Sequence, residues 1–106
     1  NCGTLPDFGN WCVRKDKTGK CTERYPDIYK ATKMLMPYAK AVSAKTYYFD
    51  EQGNETTIDF VKMMQIVKDS GYNGYVGIEY EGDGQTEHEG IIATRELIEK
   101  AVAQLK

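Results

Sequence analysis

The chain has 106 residues, of which 41% are hydrophobic and 28% charged, and its formal net charge is −2. This length allows one small domain or part of a larger one, with the composition of an ordinary globular protein. The sequence has no run of basic residues of the kind that indicates a nucleic-acid partner. It also has no apolar window as long as a membrane span. We therefore expect neither partner, and a cytoplasmic location is the expectation.

The first predicted element is a short strand at residues 2–5. Pro6 follows it and has no N–H to donate, which excludes a long central ladder. Asp7 then lies at the end of the strand, and Gly9-Asn10 signals a turn.

Residues 13–24 are polar and charged, and we predict a loop with its tip at Thr18-Gly19. Three cysteines do not make a disulfide framework. We therefore interpret Cys12 and Cys21 as loop thiols, with a bridge between them across the loop as the alternative.

Two helices and a strand are predicted next. The first helix begins at Tyr25-Pro26, where a proline is tolerated, and it ends at Pro37. A strand over residues 39–49 follows. Thr56 and Asp59 resemble a capping box for the second helix. Its apolar residues recur at helical spacing and are Phe60, Met63, Met64 and Val67.

The central strand is predicted at residues 75–80, and alternation places Glu79 and Glu81 on one face. Thr86 with Glu89 forms a capping-box pattern for the last helix. The predicted buried face of that helix comprises Ile91, Ile92, Leu97, Ile98, Val102 and Leu105. We assign His88, in its first turn, a solvated or cap-adjacent role; reaching back to the strand carboxylates is the alternative.

The alternation of strands and helices predicts an α/β fold with parallel strands and right-handed crossovers. Asp7, Ser43 and Glu79 lie near strand ends and are spaced 36 residues apart. Equal spacing indicates repeated βα units that bring polar residues to a common rim. Because three parallel strands leave two bare edges, we expect an incomplete barrel or sheet that associates with something else.

Three segments carry a resemblance to a known family. Residues 3–10, 37–45 and 71–81 resemble strand segments of the sugar phosphate isomerase/epimerase family, whose fold is the xylose isomerase-like TIM barrel. The resemblance implies that residues 1–106 form a single partial domain, the last three βα units of an eight-unit barrel. The partners it implies are a sugar or sugar phosphate, and either the missing barrel half or a second copy.

The resemblance also implies a divalent metal, Mn²⁺ or Mg²⁺. Asp7 matches the Asp ligand of the family and Glu79 its last Glu ligand, whereas Ser43 stands at the His position. Glu79 and Lys45 are the predicted catalytic residues, with Glu79 moving a proton next to a sugar carbonyl. Lys45 would supply positive charge to an oxyanion or phosphate, or pair with a carboxylate.

The predicted substrate contacts are Asn10, Trp11, Ser43 and Glu81. The implied function is that of a sugar isomerase or epimerase in carbohydrate metabolism, with this chain inactive by itself. One alternative is a lyase or dehydratase acting on keto-sugars or keto-inositols. The other is a non-catalytic partial barrel that assembles or binds. Tyr47, Tyr48 and Phe8 also follow strand ends, where they stack on a sugar or cover the rim.

Overall fold

A computed structural model describes residues 1–106 as three helices and four short strands. In chain order they are β1 (Cys12–Lys15), β2 (Cys21–Arg24), α1 (Ile28–Leu35), β3 (Val42–Thr46), α2 (Phe60–Asp69), β4 (Val76–Tyr80) and α3 (Glu87–Val102). α1 ends at Leu35 and is followed by a 3₁₀ turn over Met36–Tyr38, which contains the Pro37 at which the sequence predicts a stop. β1 and β2 pair antiparallel, and β3 and β4 pair parallel, so the chain contains two two-stranded sheets.

The N-terminal segment lies along the free edge of β3 without forming a continuous strand. It makes two isolated parallel bridges, Thr4 with Ala39 and Asp7 with Ser43. Ser43 N–H donates to the Pro6 carbonyl at 2.9 Å. Pro6 has no N–H to return, and so the strand predicted at residues 2–5 is reduced to these bridges.

α3 packs on the β3–β4 sheet, α2 packs on α3, and α1 packs on α2. The apolar stripe of α2 is buried as predicted, with Met63 fully enclosed. Phe60 meets Phe8 edge to face, with ring centroids 5.5 Å apart. Because Phe8 is completely buried, this contact anchors the segment that carries Asp7 to the core, and Phe8 does not serve as a rim residue.

The predicted helix starts are right for α3 and wrong for α1 and α2. α1 begins at Ile28, with Asp27 as its N-cap, and not at Tyr25-Pro26. Thr86 and Glu89 form the reciprocal capping box of α3. The N-cap of α2 is Asp59, whose side chain accepts from Lys62 N–H. The buried Glu55 carboxylate accepts from the N–H groups of residues 57 and 58. This turn keeps residue 56 outside the helix, and so Thr56 cannot cap it.

The buried face of α3 differs from the predicted one. Ile91 and Val102 are 48% and 47% exposed, while Leu97 and Ala101 are buried. Gly90 accounts for part of this difference in the buried face, because a Cβ there would lie 2.3 Å from the ring of Tyr80. α3 and β4 therefore approach each other closely at a glycine, a residue that a pattern of hydrophobic positions does not include.

The loop predicted at residues 13–24 is a disulfide-bonded β-hairpin. Cys12 and Cys21 are bridged, with their Cα atoms 5.8 Å apart, so their interpretation as loop thiols is wrong. At the tip, the Asp16 carboxylate accepts hydrogen bonds from Thr18 and from Lys20 N–H. Gly19 completes the turn at φ +87°, a conformation that suits glycine. Cys2 is free and exposed.

The fold class is therefore α/β, with two small sheets and three helices. The expectation of three units of an eight-unit TIM barrel is not met, because only β3 and β4 form a parallel ladder. None of the helices combines the length and apolar character needed to cross a bilayer.

Candidate functional site

A lysine between two carboxylates lies at the carboxyl ends of β3 and β4. The parallel register places Lys45 directly beside Glu79. Lys45 Nζ is 3.0 Å from Glu79 Oε1 and 3.2 Å from Glu81 Oε1. Glu79 and Glu81 reach the same ammonium because residues two apart in an extended chain face the same side. The alternation predicted from the sequence therefore produces a charged cluster of these three residues.

The lysine of this cluster is covered by the turn that follows the N-terminal segment. The side chain of Lys45 is only 2% exposed, and its ammonium donates to Asn10 Oδ1 at 2.8 Å. Tyr47 Oη donates to the Gly9 carbonyl at 3.1 Å. A Cβ on Gly9 would lie 2.7 Å from the Tyr47 ring and 2.9 Å from Lys45 Cγ. Glycine at position 9 thus allows the turn to close over the lysine.

Asp7 and Ser43 hold this arrangement in place. Asp7 Oδ1 accepts from the N–H groups of Gly9 and Asn10, both at 2.8 Å, which fixes the covering turn. Ser43 Oγ donates to Glu79 Oε2 at 3.1 Å. Each oxygen of Glu79 therefore has a partner, and the carboxylate has one preferred orientation.

The charges in the cluster stabilise one another. Burial lowers the pKa of Lys45, but the hydrogen bond to Glu79, the Asp7 charge and the contact with Glu81 outweigh it, and the net pKa is raised. The hydrogen bond from Lys45 holds the pKa of Glu79 below its usual 4.5, and burial opposes this only in part. At neutral pH the cluster therefore consists of an ammonium and ionised Glu79.

The lowered pKa of Glu79 predicts an acid-dependent loss of stability. Its contribution is fully present above the unfolded-state value near 4.5 and is lost as pH falls through the lower folded value. We expect Glu79→Gln to reduce the slope of unfolding free energy against pH in this window. Urea unfolding between pH 3 and 6 measures that slope. Glu99→Gln, on the exposed Arg95 pair, is the control. An unchanged slope for Glu79→Gln would contradict the prediction.

The residues present do not fit the divalent metal that the family resemblance implies. The predicted ligands are Asp7 and Glu79, but Asp7 Oδ1 is bound by two N–H groups and both Glu79 oxygens are engaged. No group of three or more His, Cys, Asp or Glu side chains is placed to hold a metal ion. The positive charge at this position is the ammonium of Lys45.

A cavity of about 380 Å³ separates the charged cluster from the hairpin. Asn10, Tyr47 and Glu81 line its sheet side, and Lys15 and Arg24 line its hairpin side. This cavity is called the hairpin cavity below. Its volume lies within the usual range for small-molecule sites. No sequence pattern marks Lys15 and Arg24, because only the folded hairpin brings them to the cavity.

The remaining predicted substrate contacts lie elsewhere or play other parts. Trp11 does not line the hairpin cavity; it packs on Tyr25 at a centroid distance of 5.9 Å, at the base of the hairpin. Tyr48 Oη donates to Asp83 at 2.7 Å. Ser43 contacts Glu79 and is not part of the cavity wall. His88 is exposed on α3, as predicted.

A second cavity, of about 410 Å³, lies between the start of α2 and α3. Its charged lining residues are already engaged by the chain. The Glu55 carboxylate accepts from backbone N–H groups, and the Lys100 ammonium contacts the Gln52 carbonyl and Asn54. This cavity has no counterpart of the Lys45 cluster, and we place the candidate site in the hairpin cavity.

Similar proteins act on glycosides. Over 48 residues, 45% of this chain, it is 40% identical to a C-glycoside deglycosidase alpha subunit of Arthrobacter globiformis. Over the same length it is 35% identical to a 3'-dehydrocarminate deglycosidase alpha subunit of a Microbacterium species. The matched part spans 14% of each relative. No family model matches the chain.

These findings correct the resemblance to the sugar phosphate isomerase/epimerase family. The similar proteins are deglycosidase subunits, and the fold has two small sheets in place of a barrel portion. The assignment failed because each of its three motifs was a short strand with a polar residue near its end, a pattern that many α/β chains share. A similarity to sugar-processing enzymes remains.

Proposed function

We propose that this chain forms part of a carbohydrate-processing site in which the Lys45 cluster assists proton transfer next to a sugar carbonyl. The observation that carries this proposal is a buried ammonium held between two half-exposed carboxylates beside a cavity of small-molecule size. The similarity to glycoside-cleaving subunits supports a sugar as the ligand.

The cluster has the groups that this chemistry needs. Removing a proton from a carbon beside a carbonyl places negative charge on the carbonyl oxygen. Lys45, kept charged by its raised pKa, would stabilise that oxygen after exchanging one of its present partners for it. Glu79, whose carboxylate is 45% exposed beside the Lys45 ammonium, would accept the proton, which moves from carbon to carboxylate as a carbon–carbon double bond forms.

Cleavage of a glycoside favours the lyase alternative over isomerisation. One relative is named for a 3'-dehydro compound, and dehydrogenation of a sugar hydroxyl produces a ketone. Loss of a proton beside that ketone, with departure of the group on the next carbon, is an elimination that releases the aglycone. We therefore propose a keto-sugar glycoside as the substrate class and elimination as the reaction. Isomerisation shares the proton-abstraction step but has no support from the relatives.

Glu79→Gln in the natural gene product tests this proposal. We expect a loss of turnover of about a hundredfold or more on a 3-keto glycoside with a chromophoric aglycone, because general base catalysis contributes on that scale. Glu99→Gln is the matched control, since it makes the same change on an exposed helix position. Circular dichroism checks that both variants fold. Full activity of Glu79→Gln, or no aglycone release by the unmodified protein, would overturn the proposal.

A further inference from the structure

The hairpin presents two cations to the hairpin cavity. Arg24 is the cross-strand partner of Cys12, and Lys15 is the cross-strand partner of Cys21. Both cysteines and both cations line the cavity. The disulfide therefore joins the residues directly opposite Arg24 and Lys15, and it holds the strand positions of the two cations relative to each other.

Two irregularities in the hairpin produce this arrangement. The pairing shifts between Cys12 and Arg14 and again between Arg14 and Lys15. Such bulges change which residues share a face. Arg14 is instead 3.5 Å from Glu23, in an exposed ion pair. One cation of β1 is thus paired within the hairpin, while Lys15 lines the cavity.

Lys15 and Arg24 have no carboxylate within ion-pair distance. The four ion pairs of the structure involve Arg14, Lys45 (twice) and Arg95 as their cations. Glu81 also lines the cavity, but it is 3.2 Å from the ammonium of Lys45. The cavity therefore has a hairpin side with two uncompensated positive charges, and a sheet side that offers Asn10, Tyr47 and Glu81 to hydroxyl groups.

We infer that the hairpin cavity binds a sugar that carries an anionic substituent, with the anion on Lys15 and Arg24 and the hydroxyls on the sheet side. Arginine and lysine are the usual partners of phosphate and carboxylate. The carboxylate of Glu81 would repel an anion, which gives the ligand one orientation in the cavity. This inference deepens the proposed function by naming a ligand class, but anion binding is measurable without turnover.

Calorimetric titration of the 106-residue chain with four probes tests the inference. The probes are D-glucose, D-glucose 6-phosphate, D-glucuronate and inorganic phosphate. We expect at least one anionic sugar to bind about tenfold or more tightly than glucose and than inorganic phosphate. The phosphate and carboxylate sugars identify which anion is preferred. Raising the salt concentration should weaken the anionic sugar alone, because salt screens exposed charges. Equal affinities for glucose and both anionic sugars would overturn the inference.

Substitutions in the hairpin assign the effect to its two cations. The double variant Lys15→Gln/Arg24→Gln should reduce the affinity for the anionic sugar to that for glucose. Lys17→Gln, in the same hairpin but outside the cavity lining, is the charge-matched control and should bind like the unmodified chain. Thermal unfolding checks the fold, and the single variant Arg24→Gln replaces the double variant if that fails to fold. Undiminished anion preference in a folded variant would contradict the assignment.

The two proposals fail in distinguishable ways. Glu79 does not line the hairpin cavity, so Glu79→Gln should retain the preference for an anionic sugar even where turnover is lost. Retained turnover in Glu79→Gln together with anion preference that depends on Lys15 and Arg24 would remove the proposed chemistry and keep the binding site. Loss of turnover in Glu79→Gln, together with no preference for an anionic sugar in the unmodified chain, would keep the proposed chemistry and remove the anion-binding site.

Discussion

Replacing both Glu79 and Glu81 by Gln is expected to lower the free energy of unfolding at pH 7 by about 2–3 kcal/mol. The reason is the ammonium of Lys45, which is 2% exposed and would keep its desolvation cost without its two charged partners. Breaking a buried ion pair costs about 3–5 kcal/mol. We expect a smaller effect because solvent screens these carboxylates, which are 45% and 52% exposed. Urea unfolding measures the difference.

In the double variant, the slope of unfolding free energy against pH near the pKa of Lys45 should have the opposite sign to that of the unmodified chain. In the unmodified chain the pKa of Lys45 is raised above 10.5, so its contribution is present below that value and is lost as pH rises through the folded pKa. Without the carboxylates, burial dominates and the folded pKa falls below 10.5. Stability should then increase as pH rises toward 10.5, because the unfolded chain binds the extra proton.

Glu99→Gln is the control for this series. Its ion pair with Arg95 is exposed on α3, and losing such a pair changes stability by about 0.3–0.5 kcal/mol. A double Glu79/Glu81 variant that behaves like Glu99→Gln would show that Lys45 moves out to solvent once its partners are gone. That outcome would contradict a preorganised ammonium in the candidate site.

The second prediction concerns the disulfide. Changing Cys12 and Cys21 to Ser should open the hairpin locally and leave the helical core folded. A bridge that closes a loop of this size contributes about 2–3 kcal/mol. No residue of β1 or β2 is buried, so little packing replaces the bridge. We expect hydrogen exchange at the hairpin amides to accelerate by about a hundredfold.

Particular amides report on this opening. Asp16 N–H bonds the Lys20 carbonyl at the tip, and Tyr25 N–H bonds the Trp11 carbonyl at the base. Glu81 N–H, bonded to the Thr46 carbonyl, reports on the β3–β4 sheet. Exchange should accelerate at the first two and stay unchanged at the third. Cys2→Ser removes a free, exposed thiol by the same substitution and serves as the control. Unchanged exchange at Asp16 and Tyr25 would contradict the prediction.

The disulfide also bears on the expected cytoplasmic location. Disulfides persist mainly in oxidising compartments, so the bridge favours such a compartment over the cytoplasm. Non-reducing mass spectrometry of the natural gene product would show whether the bridge is present where the protein acts.

Local signals in the sequence were sufficient for several elements. Phe60 to Val67 repeat at helical spacing, and a helix satisfies that pattern with the buried face of α2. The Thr86–Glu89 capping box lies within a single turn and formed as predicted. Strand alternation placed Glu79 and Glu81 on one side, and both contact Lys45. In each case the residues that decide the outcome are within a few positions of one another.

Contacts between distant residues were decided by the tertiary structure alone. The bridge between Cys12 and Cys21 required a hairpin whose two bulges no composition predicts. The cover of Lys45 by Asn10 joins residues 35 positions apart. The close packing of Gly90 on the ring of Tyr80 helped to decide which side of α3 is exposed.

The sequence by itself determined the apolar stripe of α2, the capping box of α3 and the shared face of the two carboxylates. It also determined the α/β class. All of these features depend on local periodicity and capping. The tertiary structure decided that the cation between the carboxylates is a lysine ammonium and that a disulfide-bonded hairpin lines the cavity beside it. Both depend on tertiary packing, which brings together side chains that lie far apart in the sequence.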